Sequence, residues 1–160
     1  MSERVQGYAD AQAAAEACGA AIAAQLKAGI AARGWASLAV SGGSTPKLMF
    51  RAMCGMGLDW SRIHLFWVDE RVVPPNDEQS NYRMTRENLL EPGAVPADRV
   101  HRIYGELNAM DASAKYQAEL EEVLGPQPRF DVVQCGVGDD GPTASLFPGE
   151  PRGSDRAGLV

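Results

Sequence analysis

The sequence predicts an α/β fold organised around a parallel sheet. Short apolar runs rich in strand formers alternate with longer segments of helical periodicity, the pattern of strand–helix–strand crossovers. Two of these runs end in glycine-rich turns, Ser41-Gly42-Gly43-Ser44-Thr45-Pro46 and Gly136-Val137-Gly138-Asp139-Asp140-Gly141. A third ends in the charged triplet Asp69-Glu70-Arg71. In a parallel sheet all three endings fall on one edge, where open α/β folds bind ligands. The 160 residues, 45% apolar and 22% charged, suit one domain over residues 1–160 with a substantial core.

Along the chain, Ala11, Ala15, Cys18, Ile22, Leu26 and Ile30 recur at spacings of three and four and predict a helix over 9–33. Asp10 supplies its start signal and Gly34 its stop. Residues 35–40 (WASLAV) predict a strand, and 47–56 a helix with Thr45 as N-cap and Pro46 at its first position. Residues 63–68 (IHLFWV) predict the second strand. Pro74-Pro75 then forces an extended loop, and residues 80–90 read as a helix ending near Pro92. A short strand is predicted over 99–103 and a helix around Ala112, Tyr116, Leu120, Val123 and Leu124, closed by Gly125-Pro126. Residues 130–135 predict the last strand.

Charge and composition exclude several classes. A net charge of −6 with no basic stripe argues against a nucleic-acid partner. No apolar run reaches membrane-spanning length. The alanine-rich stretch 9–32 is broken by Glu16, Gln25 and Lys27 and does not follow a basic leader, so it is not read as a signal peptide. Cys18, Cys54 and Cys135 lack metal-ligand spacing and read as buried thiols of a cytoplasmic protein.

At the loop 41–45, Gly42 and Gly43 let backbone N–H groups turn outward, and Ser44 and Thr45 add hydroxyl donors at a helix start. That arrangement suits either a phosphate-sized anion or a plain capped junction, and the loop alone does not choose. Arg71 offers a bidentate guanidinium for a phosphate or carboxylate. Asp69 is either a base or the group that orients Arg71, and a local salt bridge is the plainer reading of the pair. Gly136, Gly138 and Gly141 fit a dinucleotide-binding turn, but Asp139 and Asp140 would repel a pyrophosphate. His64 and His101 fall within strands and read as structural.

Three segments taken together, SGGSTP at 41–46, VDERVVPPNDEQSNY at 68–82 and GVGDDGPTASLFPG at 136–149, resemble the 6-phosphogluconolactonase family in order and spacing. The related glucosamine-6-phosphate deaminases share part of the pattern, and the three motifs favour the lactonase. The resemblance implies a three-layer, Rossmann-like parallel-sheet fold shared with that deaminase and with ribose-5-phosphate isomerase. It implies hydrolysis of 6-phospho-D-glucono-1,5-lactone to 6-phosphogluconate in the oxidative pentose phosphate pathway, with no cofactor or metal. Gly42, Gly43, Ser44, Thr45, Arg71, Asn81, Gly138 and Gly141 would bind the sugar phosphate, and Asp69, Arg71 and Asp140 would carry the chemistry.

The sequence departs from that pattern in two ways. The family motif GxGxDGH ends in a histidine taken as general base, and here the position is Pro142. Proline cannot accept a proton; Asp140 is the nearest replacement. The chain also ends before the strands and helices that the resemblance leads one to expect. An unpaired sheet edge, marginal stability and association through that edge are therefore expected. Two other readings are kept: a non-catalytic sugar-phosphate-binding protein and a deaminase-like enzyme.

Overall fold

The computed structural model describes residues 5–137 and residue 143. Helix α1 spans Ala11–Arg33, strand β1 Ala36–Val40, helix α2 Ser44–Cys54 and strand β2 Ile63–Trp67. Helix α3, Asn81–Thr85, continues into a π-helical turn, Arg86–Leu90. Strand β3 is Val100–His101, helix α4 Ala109–Leu124 and strand β4 Val132–Val133. All strand pairs are parallel, in the order β3-β2-β1-β4.

The pleat sorts side chains between two layers. Ala36, Leu38 and Val40 of β1 and Ile63, Leu65 and Trp67 of β2 join Ile22, Leu26, Met49, Phe50 and Met53 in the larger core, beneath α1 and α2. Ala39 and Phe66 point the other way and meet Tyr116 and Leu120 of α4. The helices thus cover both faces, giving three layers. Buried Tyr116 ties α4 to the sheet: its hydroxyl donates to the Trp67 carbonyl at 2.6 Å and accepts from the Trp67 N–H at 2.9 Å. Burial pushes its phenol pKa up.

Helix ends show which local signals prevailed. Asp10 caps α1 through an N–H bond from Ala13 at 2.8 Å, and Gly34 ends it in the left-handed region. Helix α2 begins three residues before the expected Lys47, with Gly43 rather than Thr45 at the N-cap. Pro46 is tolerated there because the first helical turn needs no N–H partner. The expected strands over 99–103 and 130–135 shrink to two residues each. A 3₁₀ turn, Ala97–Arg99, takes the start of the former, and a turn from Ile103 to Gly105 takes its end. In the latter, the Asp131 N–H goes to the Ser37 hydroxyl at 3.1 Å instead of into a ladder.

The buried stripe of α1 runs through Ala15, Gly19, Ile22, Ala23, Leu26 and Gly29. Small residues let the helix sit close: a Cβ on Gly19 would come within 3.2 Å of the Met53 side chain. Cys18 consequently lies on the outside. Cys18 and Cys135 are exposed and Cys54 is half-buried, which corrects the expectation of buried thiols.

Candidate functional site

The sheet order turns back at β1. The chain moves outward from β1 through β2 to β3, then returns to place β4 on the other side of β1. That reversal opens a crevice between the carboxyl ends of β1 and β4, the usual ligand position in such sheets. The turns after both strands flank it. Gln134 closes its floor by donating its N–H to Ala39 O at 2.9 Å and accepting the Ser41 N–H on its side-chain oxygen at 3.0 Å.

Loop 41–43 leaves β1 at this edge. Gly43 has φ 120°, a conformation that favours glycine, and no side chain caps the start of α2. The first N–H groups of this eleven-residue helix therefore have no side-chain acceptor at the cap. Ser44 and Thr45 are exposed beside them. The Ser41 hydroxyl is buried without a hydrogen-bond partner among the described residues, although Ser41 is only 5% exposed. A buried hydroxyl left open at a ligand edge is a group waiting for an acceptor or donor.

The triplet after β2 reaches the same rim. Asn81, 7% exposed, joins the two loops. Its side-chain amide donates to the Asp69 carbonyl at 3.0 Å and approaches the Asp69 carboxylate at 3.4 Å. Its oxygen lies so close to Gly42 that a Cβ there would fall 1.8 Å from it. Gly42 is glycine because Asn81 occupies the space of a side chain. Arg71 is exposed. Its backbone is fixed: a Cβ on Gly105 would sit 2.2 Å from the Arg71 carbonyl oxygen.

Sequence reasoning named Gly42, Gly43, Ser44, Thr45, Asp69, Arg71 and Asn81, and the fold brings all seven to one rim. Asn81, however, spends its amide on Asp69, so it braces the loops. Gly138, Asp140, Gly141 and Pro142 lie outside the described residues. Three contributors were missed. Glu70 binds the start of α3, Gly105 supports Arg71, and Cys135 stands near Asp69. Burial pushes the Cys135 thiol pKa up, and the Asp69 carboxylate adds to the rise. Of these, Glu70 was legible only as the middle of the charged triplet, and Gly105 and Cys135 left no signal; the Ser80 N-cap that starts the Asn81 helix is of a readable type.

The histidines lie elsewhere, between β2 and β3 on the α4 side. Arg99 approaches His64 Nε2 at 2.9 Å, His64 Nδ1 meets His101 Nε2 at 2.9 Å, and His101 Nδ1 meets Glu119 at 2.8 Å. A guanidinium only donates, so His64 Nε2 accepts and the proton sits on Nδ1. The next proton then sits on His101 Nδ1 and points to the Glu119 carboxylate. Burial, then His101, then Arg99 hold the His64 pKa down to about 4. Both rings are committed to this chain and neither faces the crevice.

Comparison with known proteins agrees with this geometry. The family model described as glucosamine-6-phosphate isomerases/6-phosphogluconolactonase matches residues 9–160. The chain is 45% identical over 152 residues to the 6-phosphogluconolactonase of Rhizobium meliloti (strain 1021), covering 95% of this chain and 64% of that protein. It is 46% identical over 127 residues to that of Treponema pallidum (strain Nichols), covering 76% and 53%. The 6-phosphogluconolactonase structure from Trypanosoma brucei superposes with a TM-score of 0.85 at 30% identity, over 97% of this chain and 67% of that one. The Leishmania guyanensis structure gives 0.84 at 26% identity, over 99% and 69%. The chain thus spans between about half and two thirds of these curated relatives. With helices on both faces of a parallel sheet, a family model that matches residues 9–160 and a relative 45% identical over 95% of this chain, the chain belongs to the glucosamine-6-phosphate isomerase/6-phosphogluconolactonase family.

Proposed function

We propose that this chain is a 6-phosphogluconolactonase, binding 6-phospho-D-glucono-1,5-lactone and hydrolysing it to 6-phosphogluconate in the pentose phosphate pathway. The observation that carries the reading is the close approach of Gly42 to Asn81, which locks the hydroxyl-bearing loop of β1 to the Asp69–Arg71 loop of β2. One loop offers hydroxyls and an uncapped helix start suited to a phosphate; the other offers a cation and a carboxylate.

A lactone is an activated ester, and its hydrolysis needs an oriented ring, a deprotonated water and positive charge at the carbonyl oxygen. Gly42, Gly43, Ser44 and Thr45, with Gly138 and Gly141, hold the phosphate and so fix the ring; remote binding of this kind lowers the barrier by orientation. Arg71 neutralises charge developing on the carbonyl oxygen, and Asp69 orients it. Asp140 takes the proton of the attacking water. A carboxylate is ordinarily a weaker base than an imidazole, and loss of an effective base costs on the order of 10²–10⁴ in rate. Pro142 favours a second reading: a protein that binds the sugar phosphate without turning it over.

The same proposal treats residues 1–160 as one cytoplasmic domain, without a metal or organic cofactor. No helix among the described residues is long and apolar enough to cross a membrane. Strand β4 pairs only with β1 among the described strands, and Val133 is 51% exposed. We propose that this edge accepts a further strand, so that chains associate through it. A monomer whose size is independent of concentration would count against such pairing.

The test of the main reading is a 6-phosphogluconate-release assay beside the Pro142→His and Arg71→Ala variants. Turnover above the spontaneous rate, raised by Pro142→His and abolished by Arg71→Ala, supports the lactonase. Saturable 6-phosphogluconate binding without turnover selects the second reading. Absence of both, in wild type and in Pro142→His, overturns both readings.

A further inference from the structure

The middle residue of the Asp69-Glu70-Arg71 triplet turns away from the crevice, and its carboxylate collects four donors. Oε1 accepts the Arg71 N–H at 2.7 Å and the Asn81 N–H at 2.7 Å. Oε2 accepts the Tyr82 N–H at 2.8 Å and the Ser80 hydroxyl at 3.2 Å. These donors come from two segments ten residues apart, the loop after β2 and the start of α3. Two consecutive N–H groups at a helix start, bound one to each oxygen, fix the plane of the carboxylate. The Arg71 N–H then shares an oxygen with Asn81.

We propose that Glu70 is a positioning residue of this site, acting through Arg71 and Asn81 without touching the sugar phosphate. This rests on the lactonase or sugar-phosphate reading given above. Asn81 is fixed by Glu70 at its backbone, and its side chain fixes both Asp69 and the approach to Gly42. Arg71 is held on one side by Glu70 and on the other by the close packing of its carbonyl on Gly105. Its guanidinium is exposed and long, so its position relative to loop 41–45 is set by this backbone clamp. The carboxylate also fills the start of α3 with a negative charge of the protein's own. A ligand phosphate is thereby left the start of α2, where no side chain caps the helix.

Glutamine has the shape of Glu70 but offers one acceptor oxygen, and its NH₂ would face donors. Glu70→Gln therefore loses two of the four bonds and loosens both attached segments. The test is a double-mutant cycle on the whole chain with Glu70→Gln, Arg71→Ala and the double variant. Its readouts are 6-phosphogluconate affinity by calorimetry and the melting temperature of each protein. The expected result is a loss of affinity of roughly tenfold or more in Glu70→Gln, as misplacement of a binding group produces. In the double variant the loss of affinity should be clearly smaller than the product of the two single losses, because the part of the Glu70 effect that runs through Arg71 is already gone.

Affinity of Glu70→Gln within about twofold of wild type overturns the proposal, as do losses that multiply in the double variant. If Glu70→Gln does not fold, Glu70→Asp, which keeps the charge but shortens its reach, enters the same cycle under the same criteria. Wild-type chain that neither binds 6-phosphogluconate nor releases it from lactone removes the reading beneath and takes this proposal with it. Normal wild-type binding with an additive cycle removes Glu70 alone.

Discussion

Gly42 and Tyr116 are each fitted to one neighbour, Gly42 by its size and Tyr116 by its hydroxyl. A methyl on Gly42 would lie 1.8 Å from the Asn81 oxygen, so Gly42→Ala forces Asn81 off Asp69. A destabilisation of about 1–3 kcal/mol is expected from such overpacking, together with weaker 6-phosphogluconate binding. Unchanged melting temperature and affinity would contradict the contact. Tyr116→Phe leaves the Trp67 N–H and carbonyl without their 2.9 and 2.6 Å partners. Each buried orphan costs about 1–3 kcal/mol, which a denaturant titration reads as a lower midpoint at unchanged slope. At this scale the sequence revealed residue types more readily than their tasks. Arg71 was marked by its place after the second strand, and Asn81 only by the family resemblance. That Asn81 spends its amide on Asp69, and that Glu70 collects the first N–H groups of α3, depends on a fold that brings residues ten or more apart together.

Elements bounded by their own caps were legible; elements bounded by tertiary contacts were not. Helix α1 runs from the Asp10 cap to Gly34 as its terminal signals dictate. Helix α2 starts at Ser44 because Gly43 can adopt φ 120°, a freedom that a Thr45 cap motif conceals. Strands β3 and β4 are shorter than their apolar runs because a 3₁₀ turn and the Ser37–Asp131 bond claim the flanking residues. The loop after β3 has a task that its composition does not show. A Cβ on Gly105 would meet the Arg71 oxygen at 2.2 Å and the Val73 oxygen at 2.9 Å, both backbone atoms unable to rotate away. Gly105→Ala should therefore displace the Arg71 loop and weaken 6-phosphogluconate binding by about tenfold or more. Calorimetry showing wild-type affinity in a folded Gly105→Ala protein would contradict that support.

For the whole molecule, the parallel sheet and the shared rim followed from alternation and strand endings, since parallel strands put all their carboxyl ends together, whereas the three layers were what the family resemblance implied. The histidine chain between β2 and β3 did not, because its members are distant in sequence and ordinary as strand residues. It makes stability depend on pH. The folded pKa of His64 is depressed to about 4 from the unfolded value of 6.5. The unfolded chain therefore takes up a proton first as pH falls, and stability declines between pH 6.5 and about 4 while staying level above that window. A His64→Leu protein should melt lower at neutral pH yet lose less between pH 6.5 and 5; an identical slope would assign the loss to other groups. Glu106, lowered to about 2 chiefly by its bond to Arg102, contributes stability above pH 4.5 and loses it only as pH falls from there towards 2. The central claim, that loops 41–45 and 69–71 grip one sugar phosphate, is tested most directly by titrating ¹⁵N-labelled chain with 6-phosphogluconate. Saturable shifts of the Gly42–Thr45 and Asp69–Arg71 amides with a common dissociation constant are predicted. Shifts confined to one loop, or none at saturating ligand, would contradict it.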